Sequence, residues 1–312
     1  MGSRGGGNQN EKVSPSKSRL TGGPCSPLFS AKVLGQYDVV YSRCDQTGFI
    51  QTEPPYWLDE AYQQVIADLD IGLLQRNAEK VELACEVLRR ICPDRRRLLD
   101  YGGGYGVFTR MMRDRGFPFQ HTDAYCECLF AKGFEVDLAD TPSEETFDCI
   151  TAWEVFEHLE DPMTVFDELL GRGRSLLFST ILVPDPTPTS ADQWWYFLPE
   201  TGQHVSFYTQ QSLQYVADHF GAAFYTDGVA HHLLTRETIA HDPFRDTSPI
   251  RQFINKLKAK LGLGTLSKTE AALKAGEALR QSDYQLALQR LHQSWDRDGA
   301  NQNTPPIEPA DG

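Results

Sequence analysis

The stretch Leu98–Gly106, LLDYGGGYG, follows an apolar run with an aspartate and then sets four glycines in five positions. That much bare backbone means either that a ligand approaches the main chain or that the chain simply bends. The segments on either side decide between the two. RRLLDYG reads as a strand ending at the glycines, and VFTRMMRDRG as a helix stopped by Gly116. FPFQHTDAY is a second strand ending near Asp123, and TFDCITAWE is a third. Asp161-Pro162 starts a helix that Gly171 stops, SLLFSTIL suits a strand buried on both faces, and TQQSLQYVADHFG is an amphipathic helix. AAFYTD and HHLLTRE close the run as an antiparallel pair. Such alternation predicts an α/β fold with a doubly wound sheet and right-handed crossovers.

In open α/β sheets, ligands bind beyond the carboxyl ends of the strands. Asp100, Gly102, Gly104 and Gly106 fit the pattern D-x-G-x-G-x-G, with Gly103 inside it. The dinucleotide fingerprint fits less well, because its third glycine falls on Val107 or Thr109. No G-K-[ST] follows, so a phosphate loop is absent. Asp123, at the end of the next strand, is placed to accept hydrogen bonds from both hydroxyls of a ribose. Strand, glycine turn, helix, strand and acid together make a nucleoside-binding arrangement.

LLDYGGGYGVFTRMM, HTDAY, FDCITAWEVFEHLEDP and LLFST, in this order and spacing, resemble class I S-adenosylmethionine-dependent methyltransferases. The WWYFLPETGQHVSFYTQQSL segment and the E-x-x-E-H-x-x-x-P signature point within them to a small-molecule group. The resemblance covers roughly residues 76 to 236. It implies a Rossmann-like, seven-stranded, mostly parallel sheet. It also implies that Asp100, Gly102, Gly103, Gly104 and Gly106 hold the methionine part of S-adenosylmethionine, and that Asp123 holds its ribose. Trp153 and Glu154 would border the methionine and the methyl group, and adenine contacts would fall near Leu138, Ala139 and Asp140.

Methyl transfer asks the protein to align a strong electrophile with a nucleophile and to remove water. A hydroxyl acceptor also needs a base. The candidates are Glu157 and His158 in EVFEHLEDP and His204 in ETGQHVSFY, with a structural histidine as the alternative for His158. Trp194, Trp195 and Tyr196 cannot all face one way, so at least one belongs to the core and the others to an acceptor pocket or lid.

Residues 1–23 are rich in Gly, Ser, Asn and Lys and are expected to be disordered, as is the tail 298–312. Residues 24–75 read as a hairpin and helix, with YDVVYSRC and FIQT as strands around the DQTG turn. This module resembles a zinc-ribbon leader that has lost its metal. Cys25 and Cys44 stand where two C-x-x-C knuckles would begin, but Leu28 and Thr47 replace the second cysteines. No metal is therefore expected there, and the hairpin would rest on Phe49, Trp57 and Tyr62. Residues 76–240 form the methyltransferase-like core. Residues 241–297 carry helical patterns, SPIRQFINKLKAKLGLG and EAALKAGEALRQSDYQLALQRLHQSW, suited to packing on the domain or on a second subunit.

A net charge of -13 argues against nucleic acid as a partner. No apolar run reaches the roughly 18–20 residues of a membrane span, and the first residues lack a signal-peptide core. Seven irregularly spaced cysteines fit reduced thiols. The expectation is a cytoplasmic methyltransferase acting on a small-molecule acceptor, such as a sugar or cell-surface glycan precursor. The alternatives are a non-catalytic protein of the same fold, binding cofactor or a protein partner, and a nicotinamide-dependent oxidoreductase, which the glycine spacing disfavours.

Overall fold

The computed structural model describes residues 17–62, 71–94, 96–142 and 147–245, together with five single positions between 285 and 293. Those five positions are helical and fall in the second expected C-terminal pattern; the rest of residues 246–297, the tail and residues 1–16 lie outside this description.

Two sheets organise the described residues. The larger has six strands in the order β5-β4-β6-β7-β10-β9. Four of these, β4 (Leu98–Tyr101), β5 (Phe119–Thr122), β6 (Cys149–Trp153) and β7 (Ser175–Ser179), run parallel. Every residue of β6 and β7 is buried, as their apolar runs require of strands covered on both faces. The antiparallel pair β9 (Ala223–Thr226) and β10 (His231–Thr235) closes one edge.

The helices follow from local chemistry. In α2 (Leu73–Ile91), Val81, Ala84, Cys85 and Leu88 face the core, where they pack with Phe108 and Met112 of α3 (Val107–Asp114). The helix α4 (Pro162–Arg172) starts where Asp161 accepts from the Thr164 amide at 3.3 Å. It runs one residue past the expected stop at Gly171. The helix α5 (Gln210–Phe220) has a reciprocal cap between Thr209 and Ser212 and ends at Gly221.

The smaller sheet joins distant parts of the chain. Its strands β1 (Cys25–Val33), β2 (Tyr37–Cys44), β3 (Ile50–Thr52) and β8 (Ser206–Phe207) pair in that order, all antiparallel. Behind it, Tyr41, Trp57, Trp194, Tyr196 and Phe197 form a separate aromatic core. Trp57 also donates its indole N–H to the Gly202 carbonyl at 2.8 Å. Cys25 and Cys44 face each other across β1 and β2, both buried.

Several expectations change. Among the described residues the large sheet has six strands, where seven were expected. Between β5 and β6 the described residues make one parallel bridge, His121 to Glu135. Asp137 there accepts the Ala139 amide at 2.8 Å, which favours a turn over a ladder. Disorder through residue 23 does not hold for residues 17–23. Lys17 bridges Pro24, Ser18 and Leu20 are buried, and Arg19 ties this segment to the small sheet. The helix expected near WLDEAYQQVI appears as the four-residue α1 (Leu58–Ala61), and residues 63–70 lie outside the description. Among the described residues no helix is long and apolar enough to cross a membrane.

The Arg19 guanidinium donates to the carbonyls of Thr52 at 2.6 Å, Glu53 at 3.1 Å and Val205 at 3.2 Å. Arg19→Ala removes this shared donor from all three carbonyls, of which Val205 keeps the Thr52 amide at 3.1 Å, so urea denaturation should show a loss of about 1–3 kcal/mol.

Candidate active site

At the carboxyl end of β4 the main chain turns through Gly102, Gly104 and Gly106, all in the left-handed region. The glycines serve different ends. A Cβ on Gly103 would meet His121 Nδ1 at 2.5 Å and Asp100 Oδ2 at 2.6 Å, so this glycine is demanded by packing. Gly104, at φ +58°, has nothing within 4 Å of the same position and faces open space. Gly102 packs against Val155, and Gly106 against Cys128 and Ala131.

Asp100 lies beneath the loop, fully buried, and fastens it from below. Its carboxylate accepts from Thr151 Oγ1 at 2.8 Å and Thr109 Oγ1 at 3.1 Å. Burial pushes its pKa up to about 7 against the pull of those hydroxyls. Asp123 clasps the loop from above. One oxygen accepts the Gly104 amide at 2.8 Å, and the other accepts the amides of Tyr125 at 2.8 Å and Cys126 at 2.7 Å. Of the roughly four acceptor positions of a carboxylate, one is left over, and Asp123 is only half-buried.

Loop and aspartate form the floor of a cavity of about 1830 Å³. Ligand pockets commonly hold about 300–1,000 Å³, so this one has room for two molecules side by side. Leu138 lines it, whereas Ala139 and Asp140 do not. Trp153 is mostly core, packed edge-on against Phe108 with centroids 5.3 Å apart, and reaches the cavity at its rim.

Glu154 follows β6 with φ +53°, a strained conformation for a residue with a side chain. Lys80 of α2 holds it at 3.0 Å, Ser179 donates to it, and Arg76 stands at 4.0 Å. Burial favours its neutral form, but Lys80, Ser179 and Arg76 outweigh burial and hold it below the usual carboxylate range. Lys80 and Arg76 had no place in the sequence reading. The available signal was a lysine on the apolar stripe it shares with Val81, Ala84, Val87 and Leu88.

On the opposite wall, Glu157, His158 and His204 come together, with one donor atom from each within 4.8 Å of the others. Glu157 and His158 lie on a short 3-10 turn, Phe156–His158, and His204 stands just before β8. The Val205 amide donates to the Glu157 carbonyl at 2.8 Å, and Ser206 Oγ to the Leu159 carbonyl at 2.7 Å. Those bonds set β8 against the turn. The two imidazoles meet edge to face, with centroids 4.8 Å apart. His204 Nδ1 lies 2.7 Å from the Tyr196 carbonyl, which can only accept, so Nδ1 carries the proton and Nε2 the lone pair. Burial, then the neighbouring His158, pushes its pKa down to about 3. Burial and the charge of Glu154 push Glu157 above the usual range. The aromatic triplet splits as its adjacency requires, with Trp194 and Tyr196 buried and Trp195 exposed at the cavity rim. Tyr62, expected in the hairpin core, stacks instead on Tyr125 at 5.7 Å, and both line the cavity.

Residues 74–226 match the family described as "Methyltransferase domain". Over this segment the chain is similar to methyltransferase domains. No curated protein sequence matches the chain. Solved structures similar to it include an O-methyltransferase family protein from Burkholderia thailandensis, 13% identical over 60% of this chain and 64% of that one, TM-score 0.43. The plantazolicin methyltransferase BpumL, solved with a monoazolic substrate analogue and SAH, is 12% identical over 58% of this chain and 93% of that one, TM-score 0.42. TnmH is 18% identical over 59% and 62%, TM-score 0.41. The chain thus spans less than two thirds of the Burkholderia protein and of TnmH. At these scores the likeness adds nothing to the family match.

Asp100 yields a pH signature. Its folded pKa, about 7, lies above its unfolded value of about 4. The folded state therefore holds the extra proton between those values, and stability falls as pH rises from about 4 to about 7. Asp100→Asn should flatten that slope in denaturation midpoints measured across the window.

Proposed function

We propose that the chain transfers a methyl group from S-adenosylmethionine to an oxygen of a small-molecule acceptor, such as a sugar or glycan precursor. The observation that carries this is the two-sided cavity, with the glycine loop and Asp123 on one side and Glu157, His158 and His204 on the other. S-adenosylmethionine supplies a methyl carbon already activated by its sulfonium charge.

The residues present fit that group. Gly104 offers open backbone where a side chain would stand, and Asp123 keeps an acceptor position for a ribose hydroxyl. The zwitterionic methionine end meets both signs of charge nearby, from Glu154 and from Arg76 and Lys80. Leu138 gives an apolar surface for the adenine ring. Asp100, with both oxygens engaged from below, acts as a positioning residue for the loop.

On the acceptor side, His204 is neutral and holds a lone pair on Nε2, as a hydrogen-bond acceptor for an incoming hydroxyl must. The flat faces of Trp195, Tyr62 and Tyr125 suit a sugar or another ring. A ring stacked on them displaces water from those faces.

Calorimetric titration with S-adenosylhomocysteine tests this reading. Binding with Kd on the order of micromolar is expected, weakened at least ~10-fold in Asp123→Ala, and NAD should give no heat. No binding by the native chain would sink the proposal.

A further inference from the structure

We infer that Glu157, His158 and His204 form a binding site for a divalent transition-metal ion on the acceptor wall of the cavity. The inference deepens the proposed function and rests on it only for the ion's role, which is to hold the acceptor oxygen.

Four observations support the site. The first is donor chemistry, since one carboxylate and two imidazoles within 4.8 Å of one another offer three ligand atoms. Three donors around one ion at about 2.1 Å lie about 3.4 Å apart in a tetrahedral shell, so side-chain rotations must bring the widest pair of the cluster together by about 1.4 Å.

The second is Glu157 itself. It is fully buried, with the Tyr196 hydroxyl as its neighbouring side-chain donor and no well-aligned hydrogen bond on either carboxylate oxygen. Buried carboxylates are normally paired, hydrogen-bonded or metal-bound. Glu154, three residues earlier, shows the paired outcome, with Lys80 and Ser179 on its oxygens. No cation of the chain is paired with Glu157 among the described residues.

The third is orientation. His204 gives its Nδ1 proton to the Tyr196 carbonyl at 2.7 Å, which leaves Nε2 as the free donor and fixes the ring. Metal-binding histidines are held by such a bond to a carbonyl or carboxylate.

The fourth is access. His158 and His204 line the cavity while Glu157 stands behind them. An ion held by the three keeps its remaining positions toward the acceptor, as in catalytic metal sites with three protein ligands. Two imidazoles favour Mn²⁺, Co²⁺, Ni²⁺ or Zn²⁺ over Mg²⁺. An acceptor hydroxyl completing the shell has its pKa lowered and yields its proton to cavity water, while the ion keeps its oxidation state.

The test uses tag-free, full-length chain stripped with chelator and titrated with Co²⁺ and with Zn²⁺, following visible absorption and heat. One ion per chain is expected, with the Co²⁺ affinity falling at least ~100-fold in Glu157→Gln and in His204→Ala. S-adenosylhomocysteine titration of the same variants serves as the folding check. X-ray absorption of the Zn²⁺-loaded native chain should show a shell of nitrogen and oxygen only. A native chain that binds neither ion overturns the site, and so does a folded variant that binds like the native chain. A shell containing sulfur also overturns it, placing the ion on cysteines. The two readings fail separately: S-adenosylhomocysteine binding without metal binding removes only the ion. Metal binding in the nitrogen and oxygen shell without S-adenosylhomocysteine binding upholds the site and removes the methyltransferase reading.

Discussion

The amide of Val205 donates to the carbonyl of Glu157, and most of the site's geometry hangs on that joint. It presses β8 against the turn that leaves β6. Two neighbours reinforce it, with Ser206 bonded to Leu159 and the Tyr208 hydroxyl to the Phe156 carbonyl at 3.0 Å. The two sheets also share a core, where Cys44 and Phe49 cluster with Phe156 and Phe178, and the joint fixes how they meet at the cavity. With it, His204 is carried by one sheet, Glu157 and His158 by the other, and the three meet. The aromatic core behind the small sheet gives that wall stiffness, because Trp57, Tyr196 and Phe197 pack where a loop would otherwise flex.

Charge divides the cavity in the same way. Near the loop, Glu154 is ionised and held by Lys80, a buried pair that tolerates desolvation because Ser179 and Arg76 also contact the carboxylate. On the acceptor wall, Glu157 has no such cation, and the imidazole of His204 is neutral. One side is therefore set up for a zwitterion, and the other for a ligand that brings its own positive charge or proton.

The glycine loop and Asp123 were legible in the sequence because their demands are local. A φ above zero and an acid one strand later leave a readable spacing. The central strands were legible for a related reason, since continuous apolar runs suit strands covered on both faces. What escaped was tertiary. Lys80 lies on a helix more than seventy positions before its partner Glu154 in the chain. β8 is two residues long and carries no periodicity, and it exists as a strand only because β3 lies beside it. The strand count shows the reverse. Seven strands were implied by resemblance, while the described residues between β5 and β6 make a single bridge before the turn at Asp137.

The pairing of β3 with β8 joins Ile50 to Phe207, so the chain must extend past Phe207 before its small sheet can close. The glycine loop, Asp123 and Glu154 are all in place by the end of β7, well before His204 is made. During synthesis the glycine-loop side of the cavity is thus made earlier than the His204 side, and the long-range contact that completes the latter carries the slower, higher-entropy closure. The two sides of the cavity are separated in the chain's own order of assembly.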